Sequence, residues 1–258
     1  MLPKVTIPAL ALALAAPALA GGGGAPRTLS VAAAANLEPA LAELGAAFEA
    51  GHPGVEVRAT LGASGNFFAQ IRNGAPFDVF LSADTEYPRR CVEAGLGREE
   101  DLAVYAVGRL VAWAPAGSRL ELEGRGLAAL ADPAVKKLAI ANPALAPYGR
   151  AAEAALRAAG VLDAVRARLV LGTNVAQAAQ FAQSGAADAA LVPYSLTFSP
   201  ALRGGKVFPV PAGSAPALAQ SALVLAGARE PALGRAFVRF VAGPEGHAIL
   251  ARYGYAPP

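Results

Sequence analysis

Four breaks in the sequence combine small residues with a neutral side chain that donates hydrogen bonds, each at the start of a predicted helix. They carry Asn36, Ser64, Tyr148 and Asn174, and none has a lysine or arginine at the break itself. The backbone N–H groups of a helix start lack an intrahelical acceptor, and the helix dipole favours negative charge there. The chemistry that these residues predict is the capture of a small anion by neutral donors.

Each of these side chains also has a purely structural interpretation. From the residues alone, a role as a helix N-cap explains Asn36 as well as a role as a ligand does. Asn174 is likewise explained equally well as a turn residue and as a ligand. Ser64 lies in a glycine-rich break, where turn residues are common, and Tyr148 follows Pro147, where an aromatic ring packs well at a hinge. Hydrogen bonds to an ionised acceptor are each worth roughly 1.5–3 kcal/mol, so several together offset the desolvation of a dianion.

The main competing class is a secreted hydrolase or phosphoryl-transfer enzyme. The sequence has no G-x-x-x-x-G-K-[ST] phosphate loop and no G-x-S-x-G nucleophile elbow. Ser64-Gly65 resembles a nucleophile turn, and a triad with His52 or His247 is the alternative that stays open. Two histidines and one cysteine disfavour a His/Cys metal site. We therefore expect a binding protein and not an enzyme, with no cofactor and no protein-ligated metal.

The elements that must position these residues alternate between strands and helices. Apolar runs predict strands at 29–35, 55–61, 79–82, 110–114, 138–141, 169–172, 189–192 and 222–225. Helical spacing predicts helices between them, which is the pattern of parallel sheets covered by helices. Two lobes fit this order better than one sheet. We assign residues 28–107 to the first part of lobe 1, 108–213 to lobe 2, and 214–258 to a return to lobe 1 with the C-terminal helices.

The first twenty residues read as a secretory signal peptide. Lys4 precedes an apolar run from Val5 to Ala16, and Ala18-Leu19-Ala20 forms a small-residue exit. Cys91 is the only cysteine, so this region has no cysteine for a lipid anchor. We expect a soluble protein in a Gram-negative periplasm. The net charge of +3 includes no basic cluster interleaved with aromatics, which excludes a nucleic-acid partner.

Five segments together resemble a known family along essentially the whole mature chain. They read VAAAANL, LGASGNFFAQI, FDVFLSAD, APYG and GPEGHAILARYG, in that order. They are similar to the periplasmic molybdate-binding proteins of ABC importers. The resemblance implies a type II periplasmic binding fold, with two lobes, each a mainly parallel sheet flanked by helices. A cleft between the lobes would close on molybdate or tungstate and pass it to an ABC permease with its ATPase. We expect a monomer.

The family motif implies Asn36, Ser64, Tyr148 and Val175 as ligands, the last through its backbone N–H. A further family tyrosine falls beside Pro193-Tyr194. The candidate oxyanion ligands are therefore Asn36, Ser64, Tyr148, Asn174, Val175 and Tyr194. The alternatives within this fold are sulfate, phosphate or a ferric–anion pair. Sulfate has the charge and shape of molybdate but is smaller, whereas protonated phosphate requires an acceptor that the breaks do not offer.

Overall fold

The computed structural model describes residues 27–258, so the predicted signal peptide lies outside the described residues. The strands of this part are β1 (Arg27–Ala34), β2 (Val55–Gly62), β3 (Val79–Ser82), β4 (Gly97–Gly108), β5 (Leu110–Ala114), β6 (Leu138–Ala141), β7 (Leu169–Gly172), β8 (Ala189–Pro193), β9 (Lys206–Pro209) and β10 (Leu218–Leu225).

The helices connect these strands and cover both sheets. The α-helices of the described part are α1 (Glu38–Ala50), α2 (Ser64–Arg72), α3 (Glu86–Glu93), α4 (Leu122–Arg125), α5 (Pro147–Ala158), α6 (Leu162–Val165), α7 (Val175–Gln183), α8 (Pro231–Val241) and α9 (Pro244–Arg252). Short 3-10 helices occur at Ala35–Leu37, Gly126–Ala131, Arg166–Arg168 and Tyr194–Phe198. None of the helices within residues 27–258 has both the length and the apolar character needed to cross a membrane.

Two sheets divide the chain into two lobes. The sheet of lobe 1 has the order β2-β1-β3-β10-β4, and that of lobe 2 has the order β7-β6-β8-β5-β9. In lobe 1, β10 runs antiparallel to both of its neighbours, and in lobe 2, β5 does the same. The other strands of each sheet share one direction. Each antiparallel strand is the first one after the chain crosses from the other lobe. Because the remaining strands of each sheet run in one direction, the prediction of mainly parallel α/β sheets is confirmed.

The apolar core continues from one lobe into the other. Ala34, Ala35, Ala63 and Ala83 end or follow strands of lobe 1, yet they belong to the buried cluster formed by lobe 2. Alanine side chains let the strand ends approach closely because they add little beyond the backbone. The two lobes are therefore closed against each other at the carboxyl ends of their strands.

One long strand was not predicted from the sequence. β4 pairs antiparallel with β10 at the edge of the lobe 1 sheet, and β10 begins four residues before the predicted 222–225 strand. The first half of β4 reads GREED, and Arg98, Glu99 and Glu100 are exposed. Charged residues protect edge strands from pairing with other chains, and they also remove the apolar run that would identify the strand.

Candidate functional site

Three helix N-termini meet where the lobes close. α2 begins at Ser64 in lobe 1, while α5 begins at Pro147 and α7 at Val175 in lobe 2. Ala63, Ala146, Tyr148 and Val175, which lie at or next to these starts, belong to one packed cluster. The Gly65 N–H donates to the Leu145 carbonyl across the lobes at 2.9 Å. The first N–H groups of a helix have no intrahelical acceptor. Proline has no N–H, so Tyr148 supplies the first donor of α5.

Ser64 offers a hydroxyl donor at the start of α2. Its side chain is buried, and its Oγ accepts a hydrogen bond from the Ala83 N–H at 3.0 Å. The hydroxyl proton has no acceptor among the described residues. The next residue, Gly65, has no room for a side chain, because a Cβ there would lie 2.6 Å from the Tyr87 hydroxyl and 2.7 Å from the Leu145 carbonyl oxygen. Small residues thus bring the lobes into contact beside a free donor.

Val175 and Asn174 have separate roles at the start of α7. The Asn174 Oδ1 accepts from the Gln177 N–H at 3.0 Å, so Asn174 is the N-cap of this helix. Val175 is buried, and its N–H makes no hydrogen bond within residues 27–258. α7 contacts the 3-10 helix Ala35–Leu37, which carries Asn36. The structure therefore directs the side-chain oxygen of Asn174 to the helix and leaves the Val175 N–H as a donor.

Asn36 does not cap a helix, which was the structural alternative to its predicted role as a ligand. The N-cap positions of the 3-10 helix and of α1 are Ala34 and Leu37, and neither makes a side-chain cap. The 3-10 turn separates Asn36 from the start of α1, so its amide turns inward. The Asn36 Nδ2 donates to the Gln220 Oε1 at 2.8 Å and to the Tyr255 hydroxyl at 2.7 Å.

These contacts belong to a buried network of neutral groups that joins both lobes. The Gln220 Nε2 donates to the Tyr148 hydroxyl at 3.1 Å, and the Tyr105 hydroxyl donates to the Gln220 Oε1 at 3.1 Å. Ser195 donates to the Asn36 carbonyl at 2.7 Å. Burial raises the pKa of each of the phenols of Tyr105, Tyr148 and Tyr255. The phenols therefore stay protonated and neutral at physiological pH.

A β-bulge aims Gln220 and Tyr105 into this network. Gln220 pairs with Ala106 and Ser221 pairs with Val104, which leaves Tyr105 as the extra residue on β4. A bulge bends its strand and redirects side chains, and bulges are common beside binding sites. Sequence reasoning missed Tyr105, Ser195, Gln220 and Tyr255. The polar Gln220-Ser221 pair inside an apolar strand is the signal that could have identified Gln220.

Tyr194 is not brought together with the other candidates. Its ring packs against the Arg109 guanidinium at 5.3 Å and the Phe198 ring at 5.2 Å. It lines a mainly apolar groove of about 1030 Å³ behind the two segments that connect the lobes. The structure thus gathers Asn36, Ser64, Tyr148 and Val175, with Asn174 as a cap beside them.

An ion pair closes the edge of the site. Arg150 of α5 donates to the Asp84 carboxylate at 2.7 Å, to Glu86 at 3.2 Å and to the Tyr87 hydroxyl at 3.3 Å. Burial raises the pKa of Asp84, against the hydrogen bonds from Tyr87 and Ser82 that lower it. Through these contacts Arg150 joins lobe 2 to lobe 1, and its guanidinium is paired with the carboxylates of Asp84 and Glu86.

A reactive thiol and a metal centre are two further kinds of site that side chains can form. Cys91 is buried, and burial raises the pKa of its thiol to about 11, so the thiol stays protonated. Residues 27–258 contain no group of three or more His, Cys, Asp or Glu side chains placed to hold a metal ion.

Residues 29–256 match the family described as bacterial extracellular solute-binding protein. The chain belongs to this family.

The sequences of the relatives of this solute-binding protein align with both lobes. It is 36% identical to the molybdate-binding protein ModA of Rhodobacter capsulatus, over 96% of the chain and 93% of the relative. It is 35% identical to that of Azotobacter vinelandii, over 88% and 89%. The solved periplasmic molybdate-binding protein of A. vinelandii superposes with a TM-score of 0.82 at 33% identity, covering 89% of this chain and 99% of that one.

The family and fold predicted from the five sequence segments are therefore confirmed. This solute-binding protein has the two-lobe type II architecture, with the neutral donors at the junction of the lobes.

Proposed function

We propose that this solute-binding protein captures molybdate or tungstate in the periplasm and delivers it to an ABC importer. The observation that carries the proposal is the meeting of three helix N-termini, with neutral donors, between two closed lobes. Relatives that are named molybdate-binding proteins and align over nearly the whole chain support the choice of anion.

The donors proposed to hold the anion are the Ser64 hydroxyl and the backbone N–H groups of Ser64, Tyr148 and Val175. A fully ionised tetrahedral oxyanion only accepts hydrogen bonds, so a ring of donors suits it. The three helix dipoles add favourable potential without a fixed cation. Asn36 would add a side-chain donor from the lobe 1 side.

Binding without chemistry is the proposed mechanism. The open lobes admit the oxyanion, donors of both lobes engage it, and hinge closure buries it. Closure depends on contacts that are better in the closed state, because a ligand indifferent to both states shifts nothing. The closed monomer then docks on a membrane permease that an ATPase powers. Capture in this way requires neither a cofactor nor a catalytic residue.

A calorimetric comparison of four sodium salts tests the proposal. Molybdate, tungstate, sulfate and phosphate are each titrated into the mature protein at the same ionic strength. We expect molybdate and tungstate to bind with one site per chain and sulfate to bind at least tenfold more weakly. Preferential binding of sulfate would keep the fold and overturn the substrate. Binding of no anion, together with hydrolysis of a chromogenic ester or phosphate, would favour the enzyme class.

A further inference from the structure

Gln220 lies behind the proposed anion site and touches two of its candidate residues at once. Its Oε1 accepts from the Asn36 Nδ2 at 2.8 Å, and its Nε2 donates to the Tyr148 hydroxyl at 3.1 Å. Gln220, Asn36 and Tyr148 are all buried, at 0%, 1% and 1% exposure. Gln220 therefore connects a residue of lobe 1 to a residue of lobe 2 without contact with solvent.

The hydrogen-bond roles in this arrangement leave one atom without a partner. Both N–H groups of the Asn36 amide are used, one by Gln220 and one by Tyr255. The Asn36 Oδ1 is buried and has no hydrogen-bond partner among the described residues. A buried amide oxygen without a donor has unsatisfied lone pairs, and it would repel an oxyanion bound beside it. The Tyr148 hydroxyl, meanwhile, accepts from Gln220 and keeps its proton.

Turning both amides by 180° removes this conflict. A primary amide donates at one end and accepts at the other, so reversing Gln220 directs its Nε2 to Asn36 and its Oε1 to Tyr148. The Asn36 Oδ1 then accepts from Gln220 and from the Tyr255 hydroxyl, and both N–H groups of the Asn36 amide lose their present partners. Tyr255 gives up the Asn36 carbonyl, to which it donates at 2.8 Å, and that carbonyl keeps the hydrogen bond from Ser195. Tyr105 permits the change because its hydroxyl also reaches the Ser82 carbonyl, at 3.2 Å.

We propose that Gln220 is a positioning residue that couples Asn36 to Tyr148 when the oxyanion binds. Asn36 donates to the anion in the turned arrangement, and the Tyr148 phenol acts only through Gln220 by donating to it. The two side chains cannot both donate to the anion, since Gln220 always takes a donor from one of them. This inference rests on the proposed function, and it assigns the phenol an indirect part while the Tyr148 N–H stays a direct donor.

Substitution in two backgrounds tests the coupling. Tyr148→Phe removes only the phenol oxygen and preserves the backbone donor, and Gln220→Leu removes the connecting amide. With Asn36 present, we expect each to raise the Kd for sodium molybdate by roughly tenfold, the value of one buried hydrogen bond. In the Asn36→Ala background we expect changes of less than about twofold, because effects that act through a residue vanish with it.

Tyr253→Phe is the matched control, since the Tyr253 hydroxyl bonds to Glu43 away from the network. Its Kd is expected to equal that of the unsubstituted chain. Equal losses from Tyr148→Phe in both backgrounds would overturn the coupling. If Gln220→Leu does not fold, Tyr148→Phe completes the comparison alone.

A measurement on the unsubstituted chain separates this inference from the proposed function. Side-chain amide signals in ¹⁵N–¹H NMR spectra are assigned by the Asn36→Ala and Tyr148→Phe variants and followed during a molybdate titration. We expect the Asn36 and Gln220 amide signals to move together to new positions at saturation. Saturable binding with an unmoved Gln220 signal would contradict the coupling alone. Absence of molybdate binding would contradict the proposed function and the coupling with it.

Discussion

At the residue scale, Ser64 is the side chain whose surroundings bear most directly on binding. It is buried, it accepts from the Ala83 N–H, and its proton has no acceptor within residues 27–258. A hydroxyl held by one hydrogen bond in this way is ready to donate in a fixed direction. The same side chain occupies the first position of α2, where the helix dipole favours an anion.

Replacing Ser64 by alanine is expected to weaken molybdate binding by about 1–3 kcal/mol, because a buried hydrogen bond to a charged acceptor is lost. Calorimetric titration measures the change. Ser184→Ala serves as the control, since the hydroxyl of that exposed serine donates to the Phe181 carbonyl at the other end of α7. Equal affinity of the Ser64 and Ser184 variants would exclude the Ser64 hydroxyl from the site.

Residues at helix starts could be predicted from the sequence, whereas the buried residues that contact the candidate ligands from the interior could not. Ser64 and Val175 stand at breaks between apolar runs, so their positions at helix N-termini were predictable. Gln220 and Tyr105 depend on a bulge between two strands, and one of those strands carries no apolar pattern. Tyr255 reaches Asn36 from 219 positions away in sequence. Such contacts follow from tertiary packing and not from local spacing.

At the element scale, two neighbouring residues at the start of α7 have different roles. Asn174 is the N-cap of the helix, and Val175 has a backbone N–H without a partner within residues 27–258. Asn174 accepts from the Gln177 N–H and so fixes the first turn, which directs the Val175 N–H outward. The sequence left Asn174 equally open as a turn residue or as a ligand, because both roles use the same amide. The structure engages its oxygen within the helix.

Asn174→Ala is expected to lower the free energy of unfolding by about 1 kcal/mol, the usual value of an N-cap. Urea denaturation measures the loss, and calorimetry on the same samples measures the affinity for molybdate. We expect the affinity to fall by less than about threefold. A large loss of affinity with unchanged stability would instead make Asn174 a direct ligand.

At the scale of the whole molecule, closure brings together groups that neither lobe could hold alone. The pair between Arg150 and Asp84 spans the lobes at 2.7 Å, with 36% and 13% of the two side chains exposed. Partial exposure limits its contribution, since solvent screens the attraction. The pair is therefore expected to adjust the lifetime of the closed state and not to create it.

Arg150→Gln is expected to raise the rate of molybdate dissociation by roughly two- to fivefold, corresponding to about 0.5–1 kcal/mol for a partly exposed pair. Stopped-flow chase with excess unlabelled anion measures this rate. Arg157→Gln is the matched control on the same helix, because Arg157 pairs with Glu153 within α5 at 3.0 Å. Identical rates for both variants would remove the inter-lobe pair from the closing mechanism.

The buried phenols make stability depend on alkaline pH. Burial holds the pKa of Tyr105, Tyr148 and Tyr255 above the ordinary value of about 10, so the folded chain keeps protons that the unfolded chain loses. Stability from these groups is complete below pH 10 and falls above it, by up to about 1.4 kcal/mol per pH unit for each phenol. Urea midpoints between pH 8 and 12 measure the fall, and Tyr255→Phe is expected to reduce its slope. A midpoint that stays constant to pH 12 would contradict the burial of these hydroxyls.

The central claim is that an oxyanion binds between the helix starts of the two lobes. Crystals grown with sodium molybdate and measured at the molybdenum absorption edge locate the metal without reference to the protein. We predict one strong anomalous peak per chain, within hydrogen-bonding reach (through the oxyanion's oxygens) of the Ser64 hydroxyl and of the N–H groups of Tyr148 and Val175. A peak elsewhere, such as in the groove beside Tyr194, or no peak at saturating molybdate would contradict the account.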